Sequence, residues 1–138
     1  MMKGKVAIVT GATSGIGRST ARLFAMNGAS VVAVGRGDAE LGKLRDEIRD
    51  SEGSIRVQLA DVTEFSQVDR LVNETIEHLG KIDVLVNAAG IIKNGNIENT
   101  SLEEWDKMLN INLRCVFYMM QKCAPHLVET KGNIVNVS

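Results

Sequence analysis

Five short runs rich in β-branched and apolar residues recur along the chain, at residues 6–10, 30–34, 55–59, 82–87 and 134–137. Each is nearly continuous in apolar side chains, which suits strands buried on both faces of a parallel sheet. Helical patterns separate the runs. Ile16, Thr20, Leu23, Phe24 and Asn27 form a stripe at 3.6-residue spacing that Gly28 closes. Residues 38–49 and 64–79 predict two more helices, the latter stopped by Gly80. The longest is predicted over residues 102–128, and Ser101 with Glu104 forms a capping-box pattern at its start. Strand alternating with helix at this spacing predicts an α/β chain, a doubly wound parallel sheet with helices on both faces and right-handed crossovers.

In such a sheet, ligands bind beyond the carboxyl ends of the strands, where the strand order reverses. "TGATSGIG" (10–17) ends the first predicted strand; Asp61-Val62, "NAAG" (87–90) and Ser138 follow the third, fourth and fifth. The unusual residues thus collect on one edge of the sheet. A glycine-rich loop between strand and helix commonly cradles phosphate, and two kinds of phosphate ligand compete for it. The triphosphate-binding P-loop needs Gly, four residues, then Gly-Lys-Ser/Thr. Counting back from Gly17-Arg18-Ser19 puts Ala12 in place of the first glycine and Arg18 in place of the lysine. A planar guanidinium substitutes poorly for a compact ammonium there. The common dinucleotide fingerprint, G-x-G-x-x-G, is not written either; the spacing is Gly11-x-x-x-Gly15-x-Gly17. Gly11 would permit a tight turn out of the strand, and Gly17 would let the helix pack close to the sheet. Between them, backbone N–H groups at the helix N-terminus would face a pyrophosphate.

Composition narrows the partners. Sixteen basic against seventeen acidic residues leave a net charge of −1 without a like-charge block. That balance argues against nucleic acid or an anionic membrane as the main partner. No apolar run approaches the roughly 18 residues of a bilayer span, and "VAIV" is too short for a signal-peptide core. With 138 residues, 44% of them hydrophobic, and Pro125 as the sole proline, residues 1–138 are expected to form one domain with a real core. Cys115 and Cys123 lie eight apart in a predicted helix. That separates them by roughly 12 Å along the axis, too far for a disulfide. Two free thiols fit a reducing cytoplasm, and with no His or Cys neighbour at ligand spacing they are expected to be packing residues, with no metal site.

Read together, "TGATSGIG" (10–17), "ADV" (60–62), "KIDVLVNAAG" (81–90), "INL" (111–113) and "GNIVNVS" (132–138) carry a specific likeness. In order and approximate spacing they resemble the short-chain dehydrogenase/reductase family, over the whole chain, in its N-terminal cofactor-binding portion. The chain is similar to members of the 3-oxoacyl-acyl-carrier-protein reductase type. The resemblance implies a Rossmann-type fold and an NAD(P)-dependent oxidoreductase that transfers hydride between nicotinamide and a carbonyl or alcohol substrate. It implies that Gly11, Thr13, Ser14, Ile16 and Gly17 line the pyrophosphate turn. Asp61 and Val62 would hold the adenine, the carboxylate accepting from its exocyclic amine. Asn87, Ala88 and Gly90 would wall the cleft and tie neighbouring strands, and Ile111 would pack near the adenosine ribose. Asn112 matches the asparagine of the family's Asn-Ser-Tyr-Lys tetrad, where it holds a water on the proton relay. On a regular helix Asn110 and Asn112 lie roughly 200° apart, so one of them faces the cleft, and the "INL" match selects Asn112. Without the resemblance, Asp61 also reads as an N-cap of the following helix, and Asn112 as a local kink or an exposed polar residue.

The end of the second predicted strand bears on the choice of dinucleotide. A carboxylate there would bind ribose hydroxyls and repel a 2′-phosphate. The chain has Gly35 and then Arg36, whose guanidinium can pair with phosphate and stack on adenine. NADP(H) is favoured over NAD(H), the alternative being a solvated Arg36 with Asp38 accepting the ribose hydroxyls.

Other suggestive residues fit plainer roles. His78 sits at a helix end, where a cation suits the dipole, and His126 has no partner in view. Trp105, Phe117, Met119 and Met120 fit core or subunit-contact packing, and in the family the long fourth helix commonly lies at a dimer interface. A homo-oligomer, dimer or tetramer, is therefore expected. Ser138 matches the first of the family's Ser-Ser pair, and the Tyr-x-x-x-Lys motif has no counterpart in place. Tyr118 with Lys122 spells it in the wrong helix. The expectation is a cofactor-binding portion, incomplete at its C-terminal end after the fifth strand and inactive alone. The alternative is a non-catalytic dinucleotide-binding or assembly module that ends naturally at Ser138.

Overall fold

The computed structural model describes residues 1–90 and 96–138. The strands are β1 (Val6–Val9), β2 (Ser30–Gly35), β3 (Ser54–Leu59), β4 (Val84–Asn87) and β5 (Asn133–Asn136). They form one five-stranded sheet in the order β3-β2-β1-β4-β5, and every neighbouring pair is parallel. The order reverses between β1 and β4. Helices α1 (Gly15–Met26), α2 (Asp38–Glu47) and α3 (Phe65–Leu79) fill the connections. After β4 come α4 (Leu102–Leu109), a π-helical turn (Asn110–Arg114) and α5 (Cys115–Thr130). This is the doubly wound, Rossmann-type arrangement expected.

Alternate side chains of the central strands supply two cores. Ile8, Val32, Val34 and Leu85 pack with Val68, Leu71 and Val72 of α3 and Met119, Cys123 and Leu127 of α5. Val9, Val31, Ala33 and Val86 face the other way, against Ala21 and Ala25 of α1 and Leu41 and Leu44 of α2. Burial of each large aliphatic side chain contributes about 1.5–3 kcal/mol, so both faces of the sheet are held by the same force. The expected two-sided burial describes β1, β2 and β4 but not the outer strands. β3 is mixed, and all four residues of β5 are exposed.

The helix boundaries follow local chemistry. Ser101 accepts the Glu104 N–H at 3.1 Å, capping α4. Gly80 ends α3 in the left-handed conformation at φ 81°, where a glycine carries no Cβ penalty. The predicted fourth helix differs in its middle, where the π turn separates α4 from α5. At the amino ends of the central strands, Asp83 Oδ2 accepts the Val6 N–H at 2.8 Å and lies 3.1 Å from Lys81 Nζ. Those bonds align β1 with β4 and so fix the opposite end, where the two strands part.

Candidate functional site

Where β1 and β4 diverge, a cleft of about 520 Å³ opens at the carboxyl edge of the sheet. Behind it Thr10 lies buried at the end of β1. Thr10 Oγ1 accepts the N–H groups of Ala88 and Ala89, each at 3.2 Å, and thereby seats the loop after β4 against the glycine turn. Gly11 adopts φ +63°, and a Cβ there would lie 2.5 Å from the Ala88 carbonyl oxygen. A Cβ on Gly17 would collide with the Gly11 carbonyl and lie 2.9 Å from the Thr10 oxygen, so α1 packs directly on the turn. Gly15 is different: its φ is +58° and the space a Cβ would take is open.

The N-terminus of α1 opens onto this space. Ser14 is its N-cap but makes no side-chain capping bond, and the first turn carries no acidic residue. The first amide groups of a helix have no intrahelical acceptor, and the helix dipole leaves that end positive. Gly11, Thr13, Ser14, Gly15, Ile16 and Gly17 all border the cleft. An anionic ligand fits this wall on three counts: donors without acceptors, favourable dipole sign, and a glycine backbone left uncovered.

The opposite walls carry charge. Arg36, exposed just beyond β2, borders the cleft, whereas Asp38, the alternative ribose partner, is not among the described residues that line it. A Cβ on Gly35 would stand 2.6 Å from Thr13 Cγ2, so a carboxylate-bearing side chain at that position requires Thr13 to move. Asp61 and Val62, following β3, also line the cleft. Asp61 is not the cap of α3, whose N-cap is Glu64. Instead, Asp61 Oδ1 accepts Thr63 Oγ1–H at 2.7 Å and the Thr63 N–H at 2.9 Å. These bonds, above all that from the Thr63 hydroxyl, hold the carboxyl below its ordinary range despite partial desolvation, with the Arg36 charge adding to the effect.

Ala88, Gly90 and Ile111 border the same space, while Asn87 lies behind it. Asn87 is buried, and its Nδ2 donates to Asn136 Oδ1 at 2.9 Å, tying β4 to β5. Of the two asparagines of the π turn, Asn110 borders the cleft, whereas Asn112, selected by the "INL" match, is not among the described residues that line it. Asn112 places Oδ1 2.8 Å from where a Gly90 Cβ would stand. The roughly 200° separation assumes a regular α-helix, and the π turn replaces that geometry with i→i+5 bonding.

Lys107 also lines the cleft, and sequence reasoning passed over it. It lies four residues before Ile111, hence on one helical face with it, and that spacing is the signal that finds it. Thr10 was missed as well, although a hydroxyl closing an apolar strand before glycine is its mark. Tyr118 lies apart from the cleft, its hydroxyl donating to Asp69 Oδ1 at 2.6 Å. Cys115 and Cys123 are free and buried, and burial pushes the Cys123 thiol up to about 12. Among the described residues no cluster of side chains could hold a metal ion, and no helix is long and apolar enough to cross a membrane.

Comparison with known proteins agrees with this geometry. The chain is 38% identical over 138 residues to the 3-oxoacyl-(acyl-carrier-protein) reductase FabG of Thermotoga maritima, covering 99% of this chain and 56% of that protein. Among solved structures, it resembles a glucose dehydrogenase of Caenorhabditis elegans at 41% identity and a TM-score of 0.88, covering 99% of this chain and 55% of the other. A short-chain dehydrogenase/reductase of unknown function from the same organism, solved with cofactor, matches at 40% identity and a TM-score of 0.92, with 99% and 53% covered. The chain thus spans about half the length of the relatives it matches. The sequence pattern of the short chain dehydrogenases runs through residues 5–138, and the chain belongs to that family.

Proposed function

We propose that residues 1–138 form the dinucleotide-binding domain of an NADP(H)-dependent oxidoreductase acting on a carbonyl or alcohol substrate. The observation that carries the cofactor reading is the uncapped N-terminus of α1 beside Gly15, whose backbone faces open cleft. The bound nicotinamide supplies or accepts hydride at its C4. The chain's residues bind and orient: the amides of residues 13–17 take the pyrophosphate, and Asp61, held ionised by Thr63, accepts from the adenine amine. Ile111 packs near the ribose, and Asn112 holds a water for the proton relay. A hydroxyl-bearing residue and a tyrosine–lysine pair complete that relay in the family, and Ser138 corresponds to the residue before the first of these.

Preference for the 2′-phosphorylated cofactor is supported by Arg36 at the rim and by Gly35, which places no carboxylate at the end of β2. A charge-assisted bond is worth about 1.5–3 kcal/mol, about ten- to a hundredfold in affinity. Calorimetric titration with NADPH and NADH is expected to show that margin in the unmodified chain and its loss in Arg36→Ala. Equal affinities in the unmodified chain, or an unchanged mutant, overturn the preference. Self-association as a dimer or tetramer is supported by the apolar stripe on the outer side of α5 and the preceding turn. Leu113, Phe117 and Val128 are 63%, 61% and 76% exposed. The soluble, cytoplasmic setting belongs to the same proposal.

A further inference from the structure

The first turn of α3 and the start of α5 meet in a cluster outside the cleft. The ring of Phe65, the first residue of α3, stacks on Tyr118 with centroids 4.0 Å apart and planes 19° from parallel. The guanidinium of Arg114, the last residue of the π turn, sits 4.9 Å from the Phe65 centroid. Tyr118 is anchored in turn, its hydroxyl bonded to Asp69 Oδ1 at 2.6 Å and Lys122 Nζ 3.4 Å from that oxygen. Phe65 therefore holds Arg114 through one face while its own position is fixed by α5.

What these residues connect is the point of interest. Phe65 follows the Asp61–Thr63 turn by two residues, and Arg114 follows Ile111 by three. Both segments line the cleft, on different elements. Behind them Val62, Ile111 and Cys115 border one small packing gap, and the buried Cys115 thiol feels the charges of both Asp61 and Arg114. The two cleft walls are thus in contact, and the Arg114–Phe65 stack spans the joint from outside. Single π turns of this kind are rare inside α-helices and occur frequently at functional sites.

We propose that Arg114 and Phe65 are positioning residues for the dinucleotide: their stack fixes the Asp61–Thr63 turn against the π turn at the spacing that binding requires. The inference rests on the dinucleotide reading above. Neither side chain borders the cleft among the described residues, so their effect on affinity runs through the walls they join. A cation–π contact at an exposed site is worth about two- to fivefold in an equilibrium. The test measures NADPH affinity by calorimetry, with the thermal midpoint of the unliganded chain, for Arg114→Gln, Phe65→Leu, their double variant, and the conservative Arg114→Lys and Phe65→Tyr. Each of the first two is expected to weaken NADPH binding about two- to fivefold. The double variant is expected to bind no more weakly than Phe65→Leu alone, and Lys or Tyr to restore most of the affinity. Arg114 is exposed, so Arg114→Gln carries the test should Phe65→Leu fail to fold. Unchanged affinity with a lowered thermal midpoint overturns the proposal in favour of a purely structural stack. Additive losses overturn it in favour of a direct attraction between Arg114 and the cofactor. An unmodified chain that binds neither NADPH nor NADH overturns the dinucleotide reading itself, and this inference with it.

Discussion

Gly15 and Gly17 stand two residues apart and should fail in different ways when given a side chain. At Gly17 a valine meets the carbonyl oxygens of Gly11 and Thr10, and such overpacking costs about 1–3 kcal/mol. At Gly15 nothing lies within 4 Å, and the cost is the left-handed backbone, about 1–2 kcal/mol for a residue with a Cβ. Both substitutions are expected to abolish NADPH binding, Gly17→Val with the larger fall in thermal midpoint, while Asn112→Ala binds normally. Melting curves paired with calorimetry check this, and valine variants that bind as the parent does would remove the glycine turn from the site. These glycines were legible because the turn is local and its chemistry is written in adjacent residues. Lys107 was legible only through its four-residue spacing to Ile111, because it reaches the cleft through a crossover of the chain and a lysine by itself carries no mark of what faces it.

Among the elements, the strands and the first three helices were legible from periodicity and glycine stops such as Gly80. The π turn was not. No residue type signals an i→i+5 bond, and "NINLR" reads as ordinary helix until tertiary packing shifts it. The α3–α5 contact offers a clean measurement, because Tyr118 is the chain's one tyrosine. Its hydrogen bond to Asp69, with burial and the Asp69 charge, raises its pKa above the ordinary value of about 10. A raised folded value means that the stabilisation is fully present below the unfolded pKa and is lost as pH climbs through the folded one. Ultraviolet titration of the phenol should therefore give a midpoint above about 10 in the folded chain, falling back toward about 10 in denaturant and in Asp69→Asn. A folded midpoint at the denatured value would mean that the bond does not form in solution.

The molecule as a whole brings together the cleft at the carboxyl edge of the sheet and leaves its sole tyrosine engaged elsewhere, with Asp69. Hydride transfer of the family's kind needs a general acid whose proton is accessible near neutral pH, and an unassisted phenol at a pKa of about 10 is not one. We therefore expect no measurable carbonyl reduction by residues 1–138 alone, even with NADPH bound. Steady-state assay of a sample whose intact mass matches the 138 residues tests this, and turnover by such a sample would refute it.

The strand order has a further consequence, in time. The central strands β1 and β4 are neighbours in the sheet, yet the bond from Val6 to Asp83 joins residues 77 apart in sequence. Closing so long a loop costs entropy before any contact repays it, and parallel pairings of this kind form slowly. The helices and the local β1–β2 and β2–β3 units can assemble earlier, but they enclose no cleft. During refolding, the far-ultraviolet helix signal should recover ahead of the quenching or enhancement of NADPH fluorescence. Competence to bind the cofactor then serves as a clock for the last event of folding, the meeting of the two halves of the sheet.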